Sequence, residues 1–363
     1  MSVPYLEIEA HGSHREIGRQ IGEASRHLIV AGIAYYEEYH EAMGGLPFAA
    51  AERECLAYLP PARQALPGVV EELEGMAEGA GVPLSRLLVP NLGEELTCNA
   101  DPAAGVTAPH ADRGGHCTSV AVCAGGRRLL GHNEDWWAGD VDKNVLLRIT
   151  TDDGTQILAM ASACLLPPTG INSHGIATGG NTLYARDQRL GVPNNFIRRH
   201  LLESRSLADA RERALLPTRA RGSNHIFVDA AGALLDIETS AASAAFIAGD
   251  DRLVHTNHFV DPAMTGCDLS TSAGTRRRRV RALDLLDQGL ARGDEPGELL
   301  RTILRDHDGV AEAMSICGHP DLSVPLGERD MTTASMIWDV QAGSVEVCAG
   351  PPCENERRLF SLR

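Results

Sequence analysis

The sequence predicts an α+β fold in which stacked antiparallel sheets are covered by helices. Apolar residues recur at helical spacing before residue 117, and short β-branched or alternating runs dominate after it. The later elements also come as runs of strands, then helices, then strands, which favours sheet-on-sheet packing over regular strand–helix alternation. No internal repeat is visible.

The first helical stretch is "SHREIGRQIGEASRHLIVAGIAYYEEYHEAM", with Ile17, Ile21, Leu28 and Ile33 on one face and Ser13 and Glu16 as a capping box. "AAAERECLAYLPPARQALPGVVEELEGMAEGAG" predicts two shorter helices divided by Pro60 and Pro61. Residues 98–116, rich in Pro, Gly, Ala and Asp, read as an exposed loop that tolerates cutting. From Cys117 the strands "TSVAVC", "RRLLGHN", "NVLLRITT", "QILAMAS" and "GIATGGNTL" follow, then a helix around 193–216. A hairpin "NHIFVDAAGALLDIET", a strand "DRLVHTNHF" and helices near 275–291 and 296–306 come next. The pair "TTASMIWDVQAGSVEVCAG" turns at Ala342-Gly343. The chain therefore divides into a helical leader, 1–116, and a β-rich body, 117–363, together one compact domain.

Composition removes several function classes. The net charge of −16 argues against nucleic acid and anionic membranes, which need clustered positive charge. The one basic run, "TRRRRVRALDLL" (275–286), reads as the solvated start of an amphipathic helix, with an anionic substrate tail as the other reading. Lys143 is the only lysine, and its "GDVDKNVLL" context suits neither a P-loop nor a pyridoxal phosphate enzyme. The acidic start "MSVPYLEIEAHG" does not resemble a signal peptide, and no 18-residue apolar run exists, so a soluble cytoplasmic protein is expected. Nine cysteines, with no CxxC pair, make no disulfide framework.

Cys117 stands where the glycine-rich stretch "RGGH" meets "TSVAV". A thiol becomes a good nucleophile when an adjacent base takes its proton. A cut before Cys117 would create that base, because an α-amino group titrates at about 7.7–8.0. The thiol could make the cut by attacking the preceding carbonyl and carrying the chain onto sulfur until water releases it. Such chemistry needs a carboxylate to position the amine and a neutral donor for the oxyanion. "LLGHNEDWW" offers Asp135, eighteen residues on, where a hairpin would return it beside Cys117. "VHTNHF" offers Asn257, whose amide can donate to an oxyanion.

These motifs resemble the acyl-coenzyme A:6-aminopenicillanic acid acyltransferase family, peptidase family C45 of the N-terminal nucleophile hydrolases. "CT" at Cys117-Thr118, "HNEDW" with Asp135, "HTNH" with Asn257 and "RDMTTASMIWD" with Arg329 and Asp339 match the family's motifs in order. "HGSHREIGRQIG", "INSHGIA" and "GVPNNFIRR" match further positions. The resemblance implies a four-layer αββα sandwich and autoproteolysis between His116 and Cys117 into α and β chains of one precursor. It implies acyl transfer through a thioester, with Cys117 as nucleophile and its α-amine as base. Asp135 would orient the amine, Asn257 serve the oxyanion, and Arg329 tune or bind within the pocket. His116 stands where the better-known member has glycine, and is also placed to assist proton transfer during processing. Trp136 and Trp137 are candidates to line an acyl pocket, and Asn181 is a lesser polar candidate.

The expected partner is a small-molecule amide, amine or acyl thioester, with a place in bacterial secondary metabolism. No cofactor is required; acyl-coenzyme A enters only as a co-substrate implied by the resemblance, and a homo-oligomer is left open. Two other readings stand beside this one. A zinc set of His110, His116, Cys117 and His132 would use Asp135 as acid and base, although the spacing matches no HExxH or paired CxxC pattern. A non-catalytic small-molecule-binding protein would keep the same fold.

Overall fold

The computed structural model describes residues 5–42, 46–97, 117–270, 272–307, 315–325 and 329–362. Strand β1 (Leu6–Gly12) is followed by helices α1 (His14–Ala24), α2 (Arg26–Ala42), α3 (Phe48–Leu56), α4 (Leu59–Ala65), α5 (Pro67–Ala80), α6 (Leu84–Asn91) and α7 (Gly93–Thr97). Next come β2 (Thr118–Ala124), β3 (Arg127–Trp137), β4 (Asn144–Thr151), β5 (Gln156–Ser162), β6 (Thr169–Asn172) and β7 (Ile176–Thr182). Helices α8 (Asn194–Leu201) and α9 (Leu207–Ala214) precede β8 (Ser223–Asp229), β9 (Leu234–Thr239), β10 (Ala244–Gly249) and β11 (Arg252–His255). Helices α10 (Ala273–Arg292) and α11 (Pro296–Leu304) lead to β12 (Asp330–Asp339), β13 (Ser344–Ala349) and β14 (Arg358–Ser361).

The strands form an eight-stranded sheet, β1-β4-β5-β6-β7-β8-β9-β10, and a six-stranded sheet, β11-β2-β3-β12-β13-β14. Leu146, Leu158 and Ile226 of the first sheet pack against Leu130, Met336 and Val347 of the second. The outer face of the first sheet, with Val145, Leu147 and Ile157, is covered by Ile17, Ile21, Leu73 and Leu87 of the leading helices. The outer face of the second, with Val120, Val122 and Leu129, is covered by Leu286, Leu300 and Ile303 of α10 and α11. The layers therefore run helix, sheet, sheet, helix: a four-layer αββα sandwich.

The leader is not purely helical. β1 pairs parallel with β4, in register from Leu6 with Val145 to Gly12 with Thr151. A parallel partner can be far away in sequence, so helical periodicity before Cys117 gave no sign that its first strand belongs to the body's sheet. Pro60 and Pro61 do not divide two helices but occupy the first turn of α4, where proline's missing N–H costs nothing. The expected helix over 193–216 is two helices, α8 and α9.

The Ser13–Glu16 capping box is formed, and starts α1. Glycines bring α1 and α5 together: a Cβ on Gly18 would run into the Glu72 carbonyl, and one on Gly75 into the Arg15 carbonyl. Glu72 also ties the leader to the body through a fully buried pair with Arg199, Nε to Oε1 at 2.8 Å and Nη2 to Oε2 at 2.7 Å. This fork-to-fork geometry satisfies both charges where neither meets water. Among the described residues, no helix is long and apolar enough to cross a membrane.

Candidate active site

Cys117 lies just before β2, buried, at the inner end of the β2–β3 hairpin. The turn is Gly125-Gly126, with φ of 56° and 78°, a left-handed pair that L side chains adopt at a cost. It sets the register that pairs Thr118 with Asn133. Asp135 therefore arrives beside Cys117: its N–H lies 3.5 Å from Sγ, and its carbonyl oxygen 3.7 Å. Glu134 Oε1 is 3.7 Å from the same sulfur. Neighbouring residues on a regular strand point to opposite faces. Glu134 reaches the sulfur through its carboxylate and Asp135 through its main-chain N–H and carbonyl, so both acidic residues belong to the surroundings of one thiol while that alternation holds.

Asp135 is fully buried. Its Oδ1 accepts from Thr332 Oγ1 at 2.6 Å, whereas Oδ2 has no hydrogen-bond partner among the described residues. Burial pushes its carboxyl well above the usual range, against the pull of Arg278 and the Thr332 bond. Burial, with Glu134 and Asp135 adding to it, also pushes the Cys117 thiol well up. In the uncut chain this is a thiol rather than a thiolate.

A guanidinium closes the group from below. Arg278 Nη1 donates to the Cys117 carbonyl at 2.9 Å and to Thr118 Oγ1 at 3.0 Å, and Nη2 donates to Asn257 Oδ1 at 3.0 Å. The "TRRRR" run is therefore only in part a solvated helix start: Arg276 and Arg277 are exposed, whereas Arg278 is 1% exposed. "HTNH" explains how the arginine is aimed. Thr256 Oγ1 donates to the Thr275 carbonyl at 3.0 Å, and the Asn257 N–H to Thr275 Oγ1 at 2.7 Å. Fastening the first turn of α10 in this way points Arg278, less than one turn later, at Cys117. The flanking histidines are structural: His255 Nε2 meets Glu238 at 2.7 Å, and His258 Nδ1 meets Thr275 Oγ1 at 3.1 Å.

The other residues singled out by sequence divide. Asn257 is in the group, with Nδ2 donating to the Thr182 carbonyl at 3.2 Å. Asn181 is buried between the sheets, on Ser119 and Asn224. Trp136 lines the adjoining cavity and donates from Nε1 to the Tyr36 hydroxyl at 2.8 Å. Trp137 points away from it, buried against the Tyr39 ring at 4.6 Å. Arg329 is directed elsewhere: its Nε and Nη2 donate to the carbonyls of Val324 and Leu322, and Arg278 supplies the guanidinium at Cys117 instead. Asp339 holds the β12–β13 turn by accepting from the N–H groups of Gln341 and Ala342. His110 and His116 lie outside the described residues. Of the zinc set, Cys117 and His132 remain. With Glu134 they make a cluster of three possible ligands, and His132 Nε2 lies 3.1 Å from Glu134.

Sequence reasoning missed Glu134 and Arg278. The first was visible inside "HNEDW"; the second had only its place in a basic run.

Glu134 and Trp136 also wall a cavity, which thus ends one side chain from the thiol. Met160, Leu165 and Met336 give it an apolar side, and Glu94, Glu95 and Arg198 a polar one. Arg198 and Arg221 hold Glu94 down at about 2 despite its burial. Glu95 is pushed up to about 7 by burial; its Oε1 accepts from the Asn194 N–H at 2.8 Å, and Oε2 has no hydrogen-bond partner among the described residues. A carboxyl raised in the folded state binds more protons folded than unfolded, so its contribution is full below about 4.5 and is lost as pH rises through about 7. Glu95→Gln keeps the Asn194 acceptor and cannot ionise. Across that window, the unfolding free energy of the wild type should fall relative to the variant by on the order of 3 kcal/mol. Urea titrations of both proteins at several pH values check it; parallel curves would show that Glu95 does not titrate there.

Comparison with known proteins places these features in context. The profile of the family described as acyl-coenzyme A:6-aminopenicillanic acid acyl-transferase matches residues 122–313. Beta-alanyl-dopamine/carcinine hydrolase of Drosophila melanogaster is 27% identical over 226 residues, 58% of this chain and 56% of that protein. The chain thus spans about half the length of this curated relative. Among solved structures, penicillin V acylase from Agrobacterium tumefaciens is 12% identical, over 64% of this chain and 82% of that one, with a TM-score of 0.43. A conjugated bile acid hydrolase variant from Clostridium perfringens is 11% identical, over 68% and 97%, with a TM-score of 0.45.

Proposed function

Because this chain belongs to the acyl-coenzyme A:6-aminopenicillanic acid acyl-transferase family, we propose that it is a self-processing N-terminal cysteine amidohydrolase or acyltransferase. The observation that carries the reading is the Cys117 group itself. A buried thiol is held between two carboxyl residues, with the Asp135 Oδ2 turned to no hydrogen-bond donor among the described residues. An α-ammonium released at Cys117 is the cation that this oxygen lacks.

Processing begins when Glu134 takes the Cys117 proton and Sγ attacks the carbonyl carbon of residue 116. The C–N bond breaks as the nitrogen gains a proton, leaving residue 116 as a thioester on sulfur. Water hydrolyses that ester, giving a carboxylate on one chain and a free α-amine on Cys117. In turnover the α-amine takes the thiol proton, and Sγ attacks the substrate's amide carbonyl. The second N–H of Asn257 Nδ2, the one not given to Thr182, serves the oxyanion. The leaving amine departs with the proton, and water or an acceptor amine then takes the acyl group from sulfur. Hydrolysis and transfer use the same residues; exclusion of water from the cavity decides between them.

The apolar wall of Met160, Leu165 and Met336 suits the acyl part, and the polar side near Glu94 and Arg198 the amine part. A small N-acyl amine is therefore the substrate class. The Drosophila relative, by its name a hydrolase of β-alanyl-dopamine and carcinine, is in keeping with it. The test is N-terminal sequencing of the purified protein beside a panel of N-acyl amines and acyl thioesters. A new terminus at Cys117, with free amine released from the panel, is expected. An intact chain that turns over amides only when supplied with zinc would instead favour metal at Cys117, His132 and Glu134. Tight ligand binding without turnover would favour a binding protein.

A further inference from the structure

We propose that His307, Cys317, His319 and Cys353 form a tetrahedral zinc site that clamps the chain segment lying against Asp135. The ligand atoms of these four residues all lie within 4.8 Å of one another. His307 Nε2 and His319 Nε2 are 3.0 Å apart, and Cys317 Sγ and Cys353 Sγ 3.6 Å. The mixed pairs, Cys353 Sγ and Cys317 Sγ to His319 Nε2, are 3.1 and 3.8 Å. Zinc bonds of about 2.0 Å to nitrogen and about 2.3 Å to sulfur put tetrahedral ligands roughly 3.3 Å apart for two nitrogens and roughly 3.8 Å for two sulfurs. The four measured edges already stand near those lengths, and the two from His307 to the sulfurs are within 4.8 Å.

The chemistry of the set points the same way. Two thiolates and two imidazoles are the closed donor set of structural zinc, and together they neutralise the dication. Binding Zn²⁺ releases one proton from each thiol, leaving both sulfurs as thiolates. His319 turns its other nitrogen, Nδ1, to Glu354 Oε1 at 3.5 Å, the carboxylate–histidine arrangement that orients a metal-bound imidazole. The donors come from separate places: His307 just after α11, Cys317 and His319 together in the segment before β12, and Cys353 between β13 and β14. "CGH" at 317–319 is a C-x-H spacing, which a search for CxxC passes over.

What the clamp would hold is specific. Gly318, between two of the donors, gives its N–H to Thr332 Oγ1 at 2.9 Å and takes the Thr332 N–H on its carbonyl at 3.1 Å. Thr332 Oγ1 in turn donates to Asp135 Oδ1 at 2.6 Å. A metal at this place fixes the hydroxyl that directs the Asp135 carboxyl, without touching the reacting sulfur.

The experiment uses the full chain, produced with zinc and desalted, with metal content measured by plasma mass spectrometry. About one zinc per chain is expected in the wild type and in Cys117→Ala, with at least a tenfold loss in Cys353→Ser and His319→Gln. Cys353 is exposed, so its serine variant should keep the wild-type circular dichroism. Reloaded with cobalt, the wild type should show the thiolate charge-transfer and tetrahedral d–d bands, and Cys353→Ser should lose them. Three results would overturn the site. One is a wild type that holds neither metal; another is zinc lost in Cys117→Ala but kept in Cys353→Ser. The third is a Cys317–Cys353 disulfide in peptide maps of the purified protein. None of these readouts depends on amide turnover, so the site and the proposed activity stand or fall separately.

Discussion

Cys117→Ala should remain one uncut chain and lose amide turnover by on the order of 10⁴-fold or more. The variant removes the only sulfur that, among the described residues, is placed on Glu134 Oε1 and the Asp135 N–H, and with it both reactions assigned to that atom. Processing stops because nothing attacks the carbonyl of residue 116. Turnover stops twice over, since an uncut chain also has no α-amine at residue 117. The fold should survive: alanine replaces a small buried side chain, and the anchoring hydrogen bond from Arg278 goes to the backbone carbonyl, which alanine keeps. Cys117→Ser separates the two steps. Its hydroxyl is far less acidic than a thiol, so the chain should mature slowly if at all, and a matured fraction should hydrolyse amides weakly. Intact mass over time, with amine release assayed on the same samples, reads both. A Cys117→Ala chain that is still cut before residue 117, or that keeps turning over amides, would remove Cys117 from the mechanism.

The second large effect is expected at Arg278. Its three described hydrogen bonds join the Cys117 carbonyl, the Thr118 hydroxyl and the Asn257 side chain. Arg278→Met keeps the aliphatic stem and removes every donor. Two buried carbonyl-type oxygens then lose a charged partner, and Asp135 loses the cation that opposes its burial. Breaking such a buried charged network costs about 3–5 kcal/mol. Maturation should slow by more than tenfold as the Cys117 backbone loses its anchor, and the melting temperature should fall. A stability loss alone would be an ordinary packing effect. The discriminating readout is the pH profile of maturation: without the guanidinium, the Asp135 carboxyl rises further, so the limb that reports its ionisation should move to higher pH. Arg278→Lys restores one charge but not the fork, so it should recover part of the rate. Equal maturation rates and unchanged pH profiles in wild type and Arg278→Met would mean that Arg278 only fills space.

The contrast between Asp135 and Arg278 shows how far the sequence reached. Asp135 could be placed beside Cys117 from the chain alone, because both lie on one hairpin and a two-glycine turn fixes their register locally. Asn257 was legible as an excess of polar side chains at a strand end. Arg278 was not, since four consecutive arginines open α10 and helical spacing does not say which of them is covered. The "HTNH" segment and the Cys117 backbone, far away in the chain, bury one of them. Glu134 was hidden by the alternation rule that places its side chain opposite that of Asp135; the sulfur meets Asp135 through the main chain and Glu134 through the carboxylate, so both reach it. Arg329 shows the reverse case: its motif spacing is present, yet its side chain is committed to the carbonyls of Leu322 and Val324.

By itself, then, the sequence determined the α+β order of elements, the change of character at Cys117 and the hairpin that carries its carboxyl partner. All three rest on local periodicity and turn chemistry, which act between near neighbours. The tertiary structure alone decided that β1 joins the body's sheet, that Arg278 and not Arg329 meets Cys117, and that two cysteines and two histidines converge beside the Thr332–Asp135 contact. Each of these depends on which distant segment covers a side chain or pairs with a strand, and burial of that kind is a property of the packed whole.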